Sequence, residues 1–317
     1  MDIGKVFEKI ASYIGYEEGR KLKQASFWKE SFWAYVYLLP TLAVLGTFSF
    51  WPLIRSFKIS LFDWNILTDT GEFIGFQNYA QLFADPEFGA ALWHTVYYAL
   101  VSTPVTMIIA LFIAVLLNRE IRFRGWFRTA FFLPWITPMV AGASVFVWLF
   151  NADYGLVNYV LSQVGLGNYR WLNNPSLAIP LLIIFGVWKF LGFQVVLFVA
   201  GLQNIPQHYY EAAKVDGANR LQLFRHVTLP LLTPTTFFVL IISMIGAFKV
   251  FTQVYVLWAG TAGPLNSAQT IVMFFFEKGF NDFQFGYASA SAYILFLIVF
   301  VLTAINMRLS KRWVHYQ

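Results

Sequence analysis

Long apolar runs separated by short polar segments dominate the chain, near residues 32–54, 92–117, 129–150, 177–202, 235–258 and 287–307. Each reaches the roughly 20 residues an α-helix needs to cross the hydrocarbon core of a bilayer. The pattern predicts an all-α, polytopic membrane protein with six transmembrane helices. No Gly-, Ser- or Pro-rich linker divides the chain, so residues 32–307 read as one transmembrane domain, preceded by segment 1–31 and followed by the tail 308–317. In the first segment Val6, Phe7, Ile10, Tyr13 and Ile14 recur at helical spacing among Lys5, Glu8, Lys9 and Glu17. That spacing fits either a helix lying on the membrane surface or a solvated tail. Pro40, Pro52, Pro104, Pro134, Pro138 and Pro180 lie in or at the ends of the runs and predict kinks or breaks, since each removes a backbone donor.

Charge then sets orientation. Of 22 Lys and Arg, sixteen lie in segments 1–31, 118–128, 203–234 and 308–317, and four in the alternate connections 55–91, 151–176 and 259–286. This bias predicts that both termini and the 203–234 loop are cytoplasmic, and it accounts for the net charge of +6 without a nucleic-acid partner. The chain has no cysteine, which excludes disulfide and thiolate chemistry. The four histidines lack metal-ligand spacing, so no metal site and no catalytic residue is expected. No span holds an Asp or Glu, which argues against proton or sodium coupling through a buried carboxylate. No phosphate-loop motif occurs, so energy must come from another subunit.

The 203–234 segment is unusually rich in helix formers for a connection. Asn204 is suited to cap a helix and Pro206 to open its first turn. Residues 207–215 favour helix, Gly217 suits a left-handed stop, and a second helix is expected to run to about Val227. The product reads either as a compact knob for a cleft on a partner or as a tether between spans. The sequence Glu211-Ala212-Ala213, with Gly217 four residues on and Leu229-Pro230 beyond, resembles the permease subunits of binding-protein-dependent ABC importers. The resemblance extends to Gly201-Leu202-Gln203-Asn204-Ile205-Pro206, Thr228-Leu229-Pro230-Leu231-Leu232-Thr233-Pro234, Gly286-Tyr287-Ala288-Ser289-Ala290 and Phe76-Gln77-Asn78-Tyr79. These stretches look like the sugar-importing subgroup, relatives of maltose and glycerol-phosphate permeases; Ala259-Gly260-Thr261-Ala262-Gly263-Pro264 departs from its tighter Gly-Gly-Pro.

The resemblance implies a type I ABC importer permease fold in a prokaryotic inner membrane. It also implies a second homologous permease, two copies of an ATPase that carries ATP and Mg, and an external solute-binding protein. This chain itself would hold no cofactor. Glu211, Ala212, Ala213, Asp216 and Gly217 match the helix that couples to the ATPase. Positions that touch sugar in maltose-type permeases correspond to about Gly186, Phe190, Ser243 and Ala247; several are small or apolar, which would leave specificity with the binding protein.

Two further features bear on a pathway. At about 100° per residue, Ser243, Gly246, Lys249 and Gln253 share one arc of the fifth span, and Lys189 sits between Trp188 and Phe190 on the fourth. Each lysine reads either as a pathway donor or as a side chain that snorkels to an interface. If they line the pathway, an anionic solute is the alternative to a neutral sugar. The aromatic connection 55–91 reads as a membrane-interface belt or as a docking surface. The rival from another class is a self-sufficient channel or secondary carrier.

Overall fold

The computed structural model describes residues 32–65, 70–119 and 122–313. The surface helix expected in segment 1–31 lies outside these residues. The chain falls into two compact units, Met1–Lys58 and Ile59–Gln317. The first contributes α1, which starts at Phe32 and runs on to Ser60. Phe32, Tyr37, Leu39, Phe48, Trp51 and Ile54 along it are exposed, as suits a helix facing lipid. Its backbone widens into a π-turn at Gly46–Phe50, where the Trp51 N–H donates to the Gly46 carbonyl one residue before Pro52. A proline crowds the carbonyl four residues back, and the wider turn relieves that clash without ending the helix.

The second unit opens with a hairpin, β1 (Phe62–Asn65) and β2 (Thr70–Phe73), antiparallel with Phe62 opposite Phe73. Asn78 fastens the hairpin by donating to the carbonyls of Ser60 and Phe62, at 2.9 and 3.1 Å. Helices α2 (Gln77–Ala84), α3 (Pro86–Leu117), α4 (Arg124–Ile136), α5 (Met139–Leu149) and α6 (Leu156–Gln163) follow. Next come α7 (Pro175–Gln203), α8 (Gln207–Val215), α9 (Arg220–Leu231), α10 (Thr233–Phe248), α11 (Thr252–Leu257), α12 (Ile271–Phe276) and α13 (Phe285–Trp313). Asp85 and Asn174 open the two longest central helices, α3 and α7, each accepting from a backbone N–H two residues on, with proline at the first helical position.

Among the described residues α1, α3, α7 and α13 are single helices long and apolar enough to span a membrane, and two bent pairs bring the number to six when each is counted as one span. The apolar pattern placed all six regions; it missed how two of them are built. The 129–150 run is not one helix but α4 and α5, bent by 97° at Thr137-Pro138. The 235–258 run ends as a helix at Phe248, and Lys249 (φ −98, ψ 15) and Phe251 (φ −144, ψ −63) lead out of helical geometry into α11.

Three buried clusters hold the second unit together. One joins α3, α5, α7 and α11 through Tyr98, Phe146, Phe185 and Val254. Another joins the far half of α3 to that of α7 through Ala110, Ala114, Val195 and Phe198, with Leu232 and Val239. The last ties α2, α3, α12 and α13 through Leu82, Phe88, Phe274 and Ala290.

Candidate functional site

Helices α3, α4, α7 and α10 line an open recess. Its walls divide by chemistry. Trp135, Phe190, Phe193 and Tyr98 present rings; Ser102, Thr103, Thr106, Gln194 and Ser243 present hydroxyls and an amide; Gly186, Gly246 and Ala247 leave room between them. Among the described residues no charged side chain lines it. Trp135 stacks on Phe193 with ring centres 4.5 Å apart and planes 18° apart, and lies 5.7 Å from Phe190. Gln194 donates from Nε2 to Ser243 Oγ at 2.9 Å. Its Oε1 and the Thr103 Oγ1 are buried without a hydrogen-bond partner. Both atoms lie behind the recess wall, beside the stacked rings. Gly186 is required by proximity: a Cβ there would lie 2.3 Å from the Tyr98 hydroxyl oxygen.

Four of the sequence-expected pathway residues, Gly186, Phe190, Ser243 and Ala247, meet at this recess. The other four do not line it. Trp188 packs into the core, 5.1 Å from Phe146 and 5.9 Å from Phe185. Lys189 is buried, and its Nζ donates to the carbonyl oxygens of Pro134 (2.7 Å), Trp135 (3.1 Å) and Thr137. Lys249 is exposed just past the end of α10, and Gln253 is buried on α11. The single polar arc of Ser243, Gly246, Lys249 and Gln253 does not exist, because it assumed a helix that continues past Phe248. Trp135, Phe193 and Gln194 were missed. Gly186, Phe190, Phe193 and Gln194 follow a helical face at intervals of four, three and one, a signal visible in sequence; Trp135 carried none, because the bend after it decides where it points.

At the 203–234 connection, Glu211, Ala212, Lys214, Val215 and Asp216 are exposed on or just after α8, and Val215 is 88% exposed. Ala213 is half-buried on the same helix. Gly217 has φ 81, with its N–H on the Lys214 carbonyl and the Ala218 N–H on the Ala213 carbonyl, at 3.0 and 2.9 Å. These two bonds form a Schellman stop, as the glycine predicted. Asn204 instead ends α7, and Pro206 stands at the cap position of α8 without a side-chain bond. The cap that sequence reading overlooked is Asn219. Its side chain accepts from the Gln222 N–H at 3.0 Å while Gln222 Oε1 accepts from the Asn219 N–H at 2.8 Å, a reciprocal box that starts α9. The second helix does not stop near Val227. It passes through a π-turn at Phe224–Thr228, again closing one residue before a proline, Pro230, and turns 62° into α10. Tyr210 and Thr228 share a hydroxyl bond at 3.1 Å that ties α8 to α9.

Residues 80–315 match the family model described as "Binding-protein-dependent transport system inner membrane component". The chain is 38% identical over 298 residues to the probable ABC transporter permease protein YesP of Bacillus subtilis (strain 168), covering 93% of this chain and 96% of the relative. It is 33% identical over 292 residues to the arabinooligosaccharides transport system permease protein AraP of the same organism, covering 90% and 92%. Among solved structures, a chain of a bacterial alginate ABC transporter, in complex with an alginate pentasaccharide-bound periplasmic protein, superposes with a TM-score of 0.77 at 25% identity, covering 90% of this chain and 96% of that one. The long apolar helices, the exposed helix closed by Gly217 and these matches lead to one conclusion: the chain belongs to the family of binding-protein-dependent transport system inner membrane components, as a multi-pass permease subunit and not an enzyme.

Proposed function

We propose that this chain is one membrane half of an ABC importer that passes a neutral sugar or oligosaccharide delivered by an external solute-binding protein. The observation that carries the reading is the recess: stacked rings beside hydroxyls, one amide and two orphaned polar atoms, with no charge on its walls. Ring faces suit the apolar face of a sugar, and the lining hydroxyls and amide suit its hydroxyls. The anionic alternative loses its support, since Lys189 spends its donors on backbone and Lys249 stands outside the recess. Relatives named for arabinooligosaccharides and lactose fit the neutral reading, whereas one named for sulfoquinovosyl glycerol, a sulfonated sugar, and the alginate transporter, named for an acidic polysaccharide, do not.

In this reading α8, with Glu211, Ala212, Ala213, Asp216 and Gly217, docks in a cleft of the cytoplasmic ATPase, which binds ATP and Mg. A second homologous permease completes the pathway, and both termini are cytoplasmic. Closure of the ATPase pair moves α8, and rigid-body rocking of the helices turns the recess from one side of the membrane to the other.

The test is uptake by the complete complex in vesicles, with its own binding protein offered a neutral or a uronic oligosaccharide. Neutral solute is expected to be taken up and to stimulate ATP hydrolysis. Gln194→Leu, which removes one orphaned acceptor and the bond to Ser243, is expected to lower uptake at limiting solute roughly tenfold, about 1.4 kcal/mol. Uptake confined to the uronic solute, or transport by this chain without an ATPase, overturns the reading.

A further inference from the structure

The bend in the third span leaves carbonyl groups that a continuous helix would satisfy. In such a helix the Pro134 carbonyl accepts from residue 138 and the Trp135 carbonyl from residue 139. Residue 138 is proline and has no N–H. The backbone at Thr137, φ −62 and ψ 133, turns Met139 out of line. Where such a break packs against a neighbouring helix, its freed carbonyls need donors from that neighbour. Lys189 reaches across from α7 and gives its ammonium to Pro134, Trp135 and Thr137 together. An ammonium has three donors, so all of them are used at one helix end, where the helix dipole also favours positive charge.

We infer that Lys189 is a positioning residue for transport: its ammonium replaces the donors lost at the bend and thereby fixes Trp135 as a wall of the recess. The geometry around it is consistent on three counts. Gly192, one turn further along α7, lets the last turn of α4 come so close that a Cβ would lie 1.9 Å from the Phe131 carbonyl oxygen. Phe190 and Phe193, on the same stretch of α7, receive the Trp135 ring. Lys189 itself contributes nothing to the walls, so its influence on a solute passes through Trp135. A lysine buried within an apolar span is thus explained by bonds to backbone and needs no anionic solute. The inference rests on the proposed function only in taking the recess as the solute's path.

The absence of cysteine allows a test that needs no solute. Gly246 borders the recess, and a Cβ there meets nothing within 4 Å, so Gly246→Cys places one thiol at the wall. Its labelling rate by a water-soluble maleimide is measured in the assembled complex with Lys189 intact, with Lys189→Met and with Lys189→Arg; uptake is measured for the same Lys189 variants without the thiol. Labelling is expected to speed up several-fold in Lys189→Met and return towards the original in Lys189→Arg, whose guanidinium also donates to carbonyls. Uptake at saturating solute is expected to fall roughly tenfold in the first, about 1.4 kcal/mol, and to recover in the second. If Lys189→Met does not assemble, Lys189→Gln keeps a donor without the charge and is read in the same way. Unchanged labelling in an assembled Met or Gln variant overturns the inference, as does an Arg variant as defective as the Met variant. A wild-type complex that moves no saccharide overturns the proposed function, while the labelling comparison still decides the role of Lys189.

Discussion

Two interruptions of helical structure in this chain, the bend at Thr137-Pro138 and the turn at Gly217, are fastened in opposite ways. At Gly217 every bond is local: Gly217 and Ala218 close α8 on Lys214 and Ala213, and Asn219 and Gln222 open α9 on each other. At Thr137 the donor to Pro134 and Trp135 comes from Lys189, more than fifty residues away in sequence. The difference follows from surroundings. Water can serve any carbonyl that the exposed α8–α9 turn leaves over, whereas the carbonyls at the Thr137 bend pack against α7 and take their donor from it. A local turn can therefore be moved as a unit by a partner, while the bend cannot shift without breaking charge-assisted bonds to α7.

The largest effect in breaking this comparison is expected at Gly192, because the obstacle is backbone. Gly192→Ala forces its Cβ against the Phe131 carbonyl, so α4 and α7 must separate and pull the carbonyls away from Lys189. A cost of about 1–3 kcal/mol or more is expected, read as loss of assembled complex after mild heating in detergent. Wild-type thermal resistance in the Ala variant would show that the two helices are not held as described.

At the local turn the changes should be smaller and the consequence different. Gly217 has open space around it, so Gly217→Val costs only its left-handed backbone, about 1–2 kcal/mol, and Gly217→Asn less. Asn219→Ala removes a cap worth about 1 kcal/mol. Both variants should assemble normally, yet uptake and solute-stimulated ATP hydrolysis should become uncoupled, because α8 no longer presents a fixed shape. Coupled transport at wild-type rates in Gly217→Val would separate this turn from energy transfer.

The same contrast decides what the sequence revealed. Gly217 announced its turn because a left-handed stop needs only one residue and two neighbouring carbonyls. The Asn219–Gln222 box was equally local and could have been read from its spacing. Pro134 and Pro138 were visible, but Pro104 and Pro180 sit inside helices that continue, so a proline alone does not distinguish a bend from an uninterrupted helix. What separates them at 138 is a donor on another span, which no periodicity displays. The recess was half legible for that reason: Gly186, Phe190, Ser243 and Ala247 lie on regular helices, whereas Trp135 depends on the bend and Lys249 on where α10 ends.

The smallest expected effect extends the contrast to acidity, since some fastenings across the chain use carboxylates and a lysine, whereas the bonds that close the Gly217 turn are backbone and amide. Where the last two spans connect, Lys278 pairs with Glu87 at 3.0 Å and Asp282 at 3.3 Å, and Gln269 Nε2 bridges Glu87 Oε1 at 3.0 Å and Glu277 Oε2 at 2.6 Å. Burial raises the Glu277 pKa, against the Gln269 bond, and the neighbouring Glu87 adds to the rise. Burial pulls the Lys278 ammonium down, but the Glu87 hydrogen bond and charge, with Asp282, outweigh it and leave its pKa raised. A carboxyl whose folded pKa lies above its unfolded one binds its proton more tightly in the fold. Between those two values the folded state holds more protons, so stability falls as pH rises through the window and stays at the lower level above it. The raised Lys278 pKa acts only at alkaline pH, where its stabilisation is lost, and does not interfere below neutrality. The purified complex should therefore gain a small increment of thermal stability as the pH falls through the range in which Glu277 takes up its proton, and Glu277→Gln should lose that increment. Gly217→Val should keep it, because nothing that fastens its turn titrates there. An identical pH response in wild type and Glu277→Gln would remove Glu277 as its source, and a response altered by Gly217→Val would mean that the local turn and the Glu277 cluster are not independent.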